Sequence, residues 1–281
     1  MADALLGKTE VDAVSQELVL GSMVQQQLIQ SALLLPTVNN YSAPLGVDKL
    51  KIPRAGGFTV GNKTENTAVD AQVITYATDD LALDKHKVIQ VLIEKFALKQ
   101  SQVAVLSDIA ARAGKALALQ LDTDIITALE AVSTSAPDHA IAWASGSALT
   151  AADFLNAREL LVDQYINPQE CYVGISAAME KAVLGINDFV QAQTYGNAQG
   201  LQQGVLGTIY GMKVIVHTGF ADAKSIFYHP SHVAVAIQEL VSYDMDKDLA
   251  NLAERHSWDM IYGVKTLDSG KRGVLVGTAS P

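Results

Sequence analysis

"LALDKHKVIQVLIEKFALKQSQVAVLSDIAARAGKALALQLDTDIITALEAV" occupies residues 81–132, and two different periods meet inside it. Residues 85–96 pack Val88, Ile89, Val91, Leu92 and Ile93 into a short run rich in β-branched side chains, the pattern of a strand. Residues 101–132 contain no proline. There Val103, Leu106, Ala110, Ala113, Leu117, Leu121 and Ala128 recur three, four or seven positions apart, which is one face of a helix. A helix over that whole stretch would be roughly 48 Å long, far beyond the usual about 11–12 residues. Its many alanines allow close packing on more than one side. Gly114 in mid-helix costs about 1 kcal/mol relative to Ala. That cost is tolerable where a strand or a neighbouring subunit comes close, or where the helix bends. On propensity alone, Gly114→Ala is expected to stabilise the isolated subunit.

N-terminal to this stretch the chain is weakly patterned. Residues 11–35 can form one or two short helices, with Val11, Val14 and Leu18 helically spaced, and Pro36 and Pro44 break any continuation. So short a segment cannot enclose a core, so residues 1–47 read as an arm. Residues 48–84 read as a long hairpin: "KLKIP" is strand-like, Gly61, Asn62 and Asn66 supply turn chemistry, and "AQVITYAT" returns. It carries few large apolar side chains, and an isolated hairpin is marginal in water. It must lie on something.

Beyond the long helix the elements shorten. Thr150 and Asp153 have capping-box spacing before a helix over 150–166. "CYVGIS" reads as a buried strand, and Ser176 as the cap of a further helix. Residues 192–203 are polar and glycine-bearing, hence a loop. "GVLGTIYGMKVIVHTG" (204–219) reads as strand, turn, strand. "KSIFYHP" is another strand, "SHVAVAIQEL" (231–240) a short helix, and the remainder strands, with "DSGKRG" (268–273) a hairpin loop. The sum is an α+β fold without the βαβ alternation of a doubly wound sheet.

The totals narrow the function. The chain has 281 residues, 49% hydrophobic and only 18% charged. It lacks an apolar run near the roughly 18 residues of a membrane span. The apolar excess goes into a core or into contacts with other subunits. A net charge of −10 disfavours phosphate-backbone binding as a main activity. The single cysteine, Cys171, fits a reducing compartment, and the N-terminus lacks the basic and apolar regions of a signal peptide.

Tests for chemistry come back empty. Gly204, Gly207 and Gly211 form a G-x-x-G-x-x-x-G pattern, yet a strand follows them where a phosphate loop needs a helix N-terminus. The glycines are expected to shape turns. His229 and His232 lack the glutamate of a zinc-protease motif. Asp244, Asp246 and Asp248 imitate the start of a calcium loop but meet Leu249 at its sixth position and Arg255 at its twelfth, so a solvated turn is expected. Asp122 and Asp124, two apart on a helix, do not face each other. Ser176 lacks the last glycine of a nucleophile elbow, where Ala178 stands. No catalytic residue, metal ligand or cofactor site is expected.

The order of these segments resembles the major capsid protein of tailed bacteriophages, the Hong Kong 97-like fold. The quoted stretch looks like that family's strand and spine helix. "NPQECYVGISAAMEKAVL" resembles its P-x-x-x-Y-V strand and helix, and "GVLGTIYGMKVIVHTGF" its G-x-x-G-x-x-x-G-x-x-V strand pair. "FYHPSHVAVAIQ" is similar to a further segment, with His232 where the family usually has a small residue. The resemblance implies an N-terminal arm (1–47), an extended β-hairpin loop (48–84), and a peripheral domain with the spine helix (85–144). An axial domain (145–225) and return strands of both domains (226–281) complete it. It also implies a structural homo-oligomer, arranged as hexamers and pentamers in an icosahedral shell around double-stranded DNA.

The arm is too short for a large fused scaffold, so a separate scaffolding protein and a portal are implied partners, and a decoration protein is admitted. No membrane is involved. The expected location is the virion, with assembly in the host cytoplasm. Lys63, Gly114, Gly204, Gly207 and Gly211 are the interface or flex candidates. Gly114 enters as a flex point because the family's spine helix bends in maturation. Some members crosslink Lys to Asn, which would make Lys63 a donor, but no acceptor or catalytic Glu is specified and no crosslink is expected. Two alternatives stay open: an encapsulin-like cellular shell with the same fold, and an unrecognised α+β enzyme.

Overall fold

In the computed structural model the decisive stretch becomes strand β4 (Lys85–Glu94) and the 25-residue helix α2 (Val105–Leu129). The structure describes residues 8–63, 65–66, 71–94, 105–144, 149–186 and 207–277. Ala110, Ala113, Leu117 and Leu121 are buried on the expected face, joined by Ala118, Ile125, Ile126 and Leu129; Val103 lies outside the described residues. The helix stops at Leu129, short of the expected Val132. There the Ser133 N–H turns away to donate to the Gly270 carbonyl at 3.1 Å.

The N-terminal segment forms one helix, α1 (Lys8–Ser31), which lies along α2 with Leu20, Val24 and Leu28 buried in the same core. Gly114 is the point of closest approach. A Cβ there would stand 2.8 Å from the Val24 carbonyl oxygen and 2.9 Å from Gln27 Cβ. The visitor is neither a strand nor another subunit but this chain's own first helix. The expected gain from Gly114→Ala is therefore reversed. The added methyl has to push two helices apart, at about 1–3 kcal/mol, read as a lower urea midpoint than wild type. Ala113→Leu, also buried, overfills the same seam to a similar extent.

Both helices cover one face of a four-stranded sheet in the order β1 (Asn39–Ser42), β10 (Val233–Asp248), β11 (Ala253–Thr266), β4. β1 is parallel to β10; the other pairings are antiparallel. The short helix expected over 231–240 is replaced by a single 3₁₀ turn, Pro230–His232, and then by β10. The alternation V-A-V-A explains why. Val233 and Val235 enter the core beneath the helices, while Ala234 and Ala236 face the hairpin root, and this period of two belongs to a strand.

A second sheet of six strands runs β5 (Ala140–Ala142), β12 (Gly273–Gly277), β9 (Lys224–Tyr228), β6 (Tyr172–Ile175), β8 (Met212–Val216), β7 (Thr208–Ile209). Helices α3 (Ala151–Asp163) and α4 (Ala177–Leu184) pack on it. Asp153 accepts the Thr150 N–H at 2.8 Å and hydroxyl at 2.6 Å, and Ser176 Oγ accepts the Met179 N–H, so both expected starts are present. Phe154 of α3 meets Phe227 of β9 edge-on, with ring centroids 5.2 Å apart. The sheet serves two cores. Phe227, Val274 and Val276 face α3 and α4, while Ile226, Tyr228 and Leu275 face α2.

"DSGKRG" is not a hairpin loop. Both edges of β11 are already occupied, by β10 and β4, so the chain crosses to the other sheet and β12 pairs with β9 and β5. The crossing is made by Asp268, Ser269 and Gly270, all left-handed with φ of 52, 52 and 77°. Gly270 is required there, because a Cβ would lie 2.6 Å from the Ala131 carbonyl oxygen.

Candidate assembly interface

Among the described residues, strands β2 (Lys49–Ala55) and β3 (Tyr76–Ala82) pair only with each other, from Lys49 opposite Ala82 to Ala55 opposite Tyr76. The root of this ribbon rests in a small apolar cluster. Leu81 is buried and Leu50, Ile52 and Leu83 partly so, against Ala43, Ala234, Ala236 and Leu267. Gly263 in β11 lets the root settle, since a Cβ there would lie 2.0 Å from the Ala82 carbonyl oxygen. Lys265 Nζ donates to the Asp80 carbonyl at 2.7 Å, and the Arg54 guanidinium pairs with Asp268.

Farther out, the side chains of the ribbon are open among the described residues. Phe58, Val60, Val73 and Tyr76 are 70, 95, 89 and 67% exposed. Its own links continue: Gly56 N–H to the Thr75 carbonyl at 2.9 Å, and Thr59 N–H to Gln72 Oε1 at 3.0 Å. Exposed apolar groups on a self-paired ribbon are what a protein surface shows where another chain is to cover it.

The singled-out residues occupy separate elements. Lys63 is exposed in the hairpin. Gly114 is locked between α1 and α2. Gly207 precedes β7 and Gly211 lies in the turn of the narrow β7–β8 hairpin at the edge of the six-stranded sheet. Tyr210 and Gly211 have φ of 50 and 88°, the paired positive values of a two-residue hairpin turn. Gly204 lies outside the described residues.

The polar groups that suggested chemistry are tied to structure. His229 Nδ1 accepts the Ser231 N–H, whereas His232 is buried and its Nε2 donates to the Leu129 carbonyl at 3.1 Å. The two imidazoles serve different partners. Asp248 holds the β10–β11 turn, accepting from Ala250 N–H, Asn251 N–H and Asn251 Nδ2, and these bonds, the Asn251 side chain first, hold its carboxyl below the usual range. Asp244 and Asp246 belong to β10 rather than to that turn. Burial, with the Glu170 charge second, pushes the Cys171 thiol up to about 12. Among the described residues no group of three or more His, Cys, Asp or Glu converges as a metal site. No helix among them is long and apolar enough to cross a membrane.

Asp122 and Asp124 take separate work that sequence spacing did not reveal. Asp122 accepts the N–H groups of Leu33 (3.0 Å) and Leu34 (3.2 Å) where the chain leaves α1, with His217 Nε2 at 3.4 Å. Asp124 accepts the Tyr262 hydroxyl at 2.6 Å and pairs with Lys85 at 3.4 Å and Lys87 at 3.7 Å, joining α2 to β11 and β4.

Burial lowers the His232 pKa to about 4, partly offset by the Leu129 carbonyl, with His139 adding to the lowering. The unfolded chain then takes up a proton near 6.5 that the folded chain refuses until about 4. Stability is full above the higher value and lost as pH falls through the window, by up to about 3 kcal/mol. His256, lowered mainly by burial, acts in the same direction; Asp122, raised mainly by burial, acts in the opposite one. His232→Gln keeps a donor for Leu129 and removes the titration. Urea unfolding of the variant is expected to lose less stability than wild type between neutral and acid pH. Equal losses in the two would remove His232 from the account.

Residues 78–273 match the family model described as phage capsid protein. No curated protein sequence matches the chain. Solved structures do. One from Mycobacterium phage Che8 is 21% identical with TM-score 0.67, covering 82% of this chain and 84% of that one. The capsid of cyanophage P-SCSP1u is 13% identical with TM-score 0.73, covering 87% of each. A virus-like particle from Pyrococcus furiosus is 10% identical with TM-score 0.62, covering 93% and 99%. The fold is of the class to which the capsid of cyanophage P-SCSP1u belongs. The chain belongs to the phage capsid protein family. It has the Hong Kong 97-like fold and is a structural protein of a capsid shell, part of a multi-subunit assembly in the virion. The cellular-compartment alternative is the weaker reading beside the family match.

Proposed function

We propose that the chain assembles as hexamers and pentamers into the icosahedral shell enclosing double-stranded phage DNA, and that it catalyses nothing. The observation that carries this reading is the hairpin, whose exposed apolar side chains require a second chain as their packing partner. The segment assignment supports it: β4, α2 and the four-stranded sheet form the peripheral unit, and α3, α4 and the six-stranded sheet the axial unit. The described part of the arm comprises α1, seated on the spine helix, and β1, paired with β10. Assembly takes place in the host cytoplasm with a separate scaffolding protein and a portal, and the finished surface admits a decoration protein. Lys63, Gly204, Gly207 and Gly211 are assigned to interfaces. Gly114 is assigned as the place where the spine helix changes shape, which requires α1 to move with it.

Electron microscopy of the purified native protein tests the reading. Closed shells of hexameric and pentameric capsomers are expected. A population consisting only of small oligomers under all assembly conditions would overturn it.

A further inference from the structure

Six side chains from four separate segments form one continuous hydrogen-bonded path beginning at the hairpin. The Arg54 guanidinium, on β2, donates to Asp268 Oδ1. Asp268 Oδ2 accepts from Arg272 Nε at 3.3 Å, and Arg272 Nη1 donates to Ser231 Oγ at 2.7 Å. Ser231 Oγ lies 2.7 Å from His229 Nδ1, and His229 Nε2 lies 3.4 Å from Glu170 Oε2. The donors run consistently when the imidazole carries its proton on Nε2: Ser231 O–H donates to Nδ1 and Nε2–H donates to Glu170. Glu170 ends the 3₁₀ turn Pro168–Glu170 just before β6, so the path ends beside the six-stranded sheet.

Two features make this path more than surface decoration. The central carboxylate is held in place by the left-handed run 268–270, which Gly270 pins against Ala131. The path also borders a cleft of about 290 Å³, lined by Glu170, His229, Asp268 and Arg272 together with residues 164–167. By contrast the apolar root of the hairpin is small, with only Leu81 of its own large side chains fully buried.

We propose that this relay sets the angle at which the hairpin leaves the body and couples that angle to the loop at Glu170 across the cleft. A disturbance at Glu170 or His229 is transmitted to Arg54 through Asp268 and Arg272. The inference rests on the hairpin being the assembly arm, but its readout lies within one subunit. Failure of shell assembly would leave it intact.

The test uses the full chain with spin labels at Thr59→Cys on the hairpin and Lys115→Cys on α2, both exposed positions, diluted into unlabelled protein. Cys171 is buried and stays unlabelled. Pulsed electron resonance then reads the hairpin-to-body distance. In Asp268→Asn the distribution is expected to broaden about twofold, because the ribbon then keeps its apolar root and the Lys265–Asp80 bond but loses the Arg54 ion pair. Glu170→Gln, four side chains removed from Arg54 along the path, broadens it by less. Raising salt to about 1 M, where the Debye length is about 3 Å, broadens the wild-type distribution too, because the arginines and Asp268 are partly exposed. An unchanged distribution in Glu170→Gln overturns the relay and leaves a single ion pair at Arg54. Unchanged distributions in both variants and in salt overturn any electrostatic control of the angle. Should Asp268→Asn fail to fold, Glu170→Gln and the salt series decide alone.

Discussion

Deleting residues 57–71 and closing the gap leaves a folded subunit that no longer makes closed shells. The deletion spares the root, where Leu50, Ile52 and Leu81 meet the cluster around Ala234 and Ala236. It removes Phe58 and Val60, which touch little of their own subunit and are 70 and 95% exposed. Surface positions away from packed features usually change stability by under about 0.5 kcal/mol, so circular dichroism melts of variant and parent should nearly coincide. Electron microscopy of the same material should show no closed particles. Global unfolding of the variant would place the hairpin in the core and end its assignment as an assembly arm.

Asp122→Ala is expected to be among the costliest single changes in the molecule. Its carboxylate is the partner of two backbone N–H groups, at Leu33 and the fully buried Leu34. A buried donor left unpaired costs about 1–3 kcal/mol; the Leu34 bond is buried and the Leu33 bond only partly so, so the variant should lose about 1–4 kcal/mol in urea unfolding. Asp122→Asn retains one acceptor oxygen and should lose roughly half as much. The same change frees the exit of α1 and so loosens the α1–α2 seam at Gly114. A loss below about 1 kcal/mol for the alanine variant would show that other groups satisfy these donors.

The sequence was most legible where neighbours in the chain are also neighbours in space. The buried face of α2 and the caps at Thr150 and Ser176 depend on residues a few positions apart, and there structure and sequence agree. Failures came where the partner is remote. Nothing near Gly114 announces that Val24 and Gln27 lie against it. Asp122 looked idle because its partners stand 88 and 89 residues away. The strand at Val233 was mistaken for a helix although its alternation of Val and Ala was visible; Ala and the preceding Pro-Ser suggested a helix start, and the two faces of the strand had no known occupants. "DSGKRG" was read as a hairpin loop because local turn chemistry cannot reveal that both edges of β11 are taken. The relay, from Arg54 to Arg272, uses residues that each look like ordinary solvated charge.

Strands β9 and β12 place alternate side chains into two different cores. In mechanical terms one wall is glued on both sides, to the core under α2 and to the core under α3 and α4. A force applied to one part is carried through Ile226, Phe227 and Tyr228 directly into the other. Such a panel cannot fold along its middle without opening both cores together. Compliance in a shell of these panels therefore falls first to the ribbons, whose outer parts are exposed, rather than to the wall shared by the two cores.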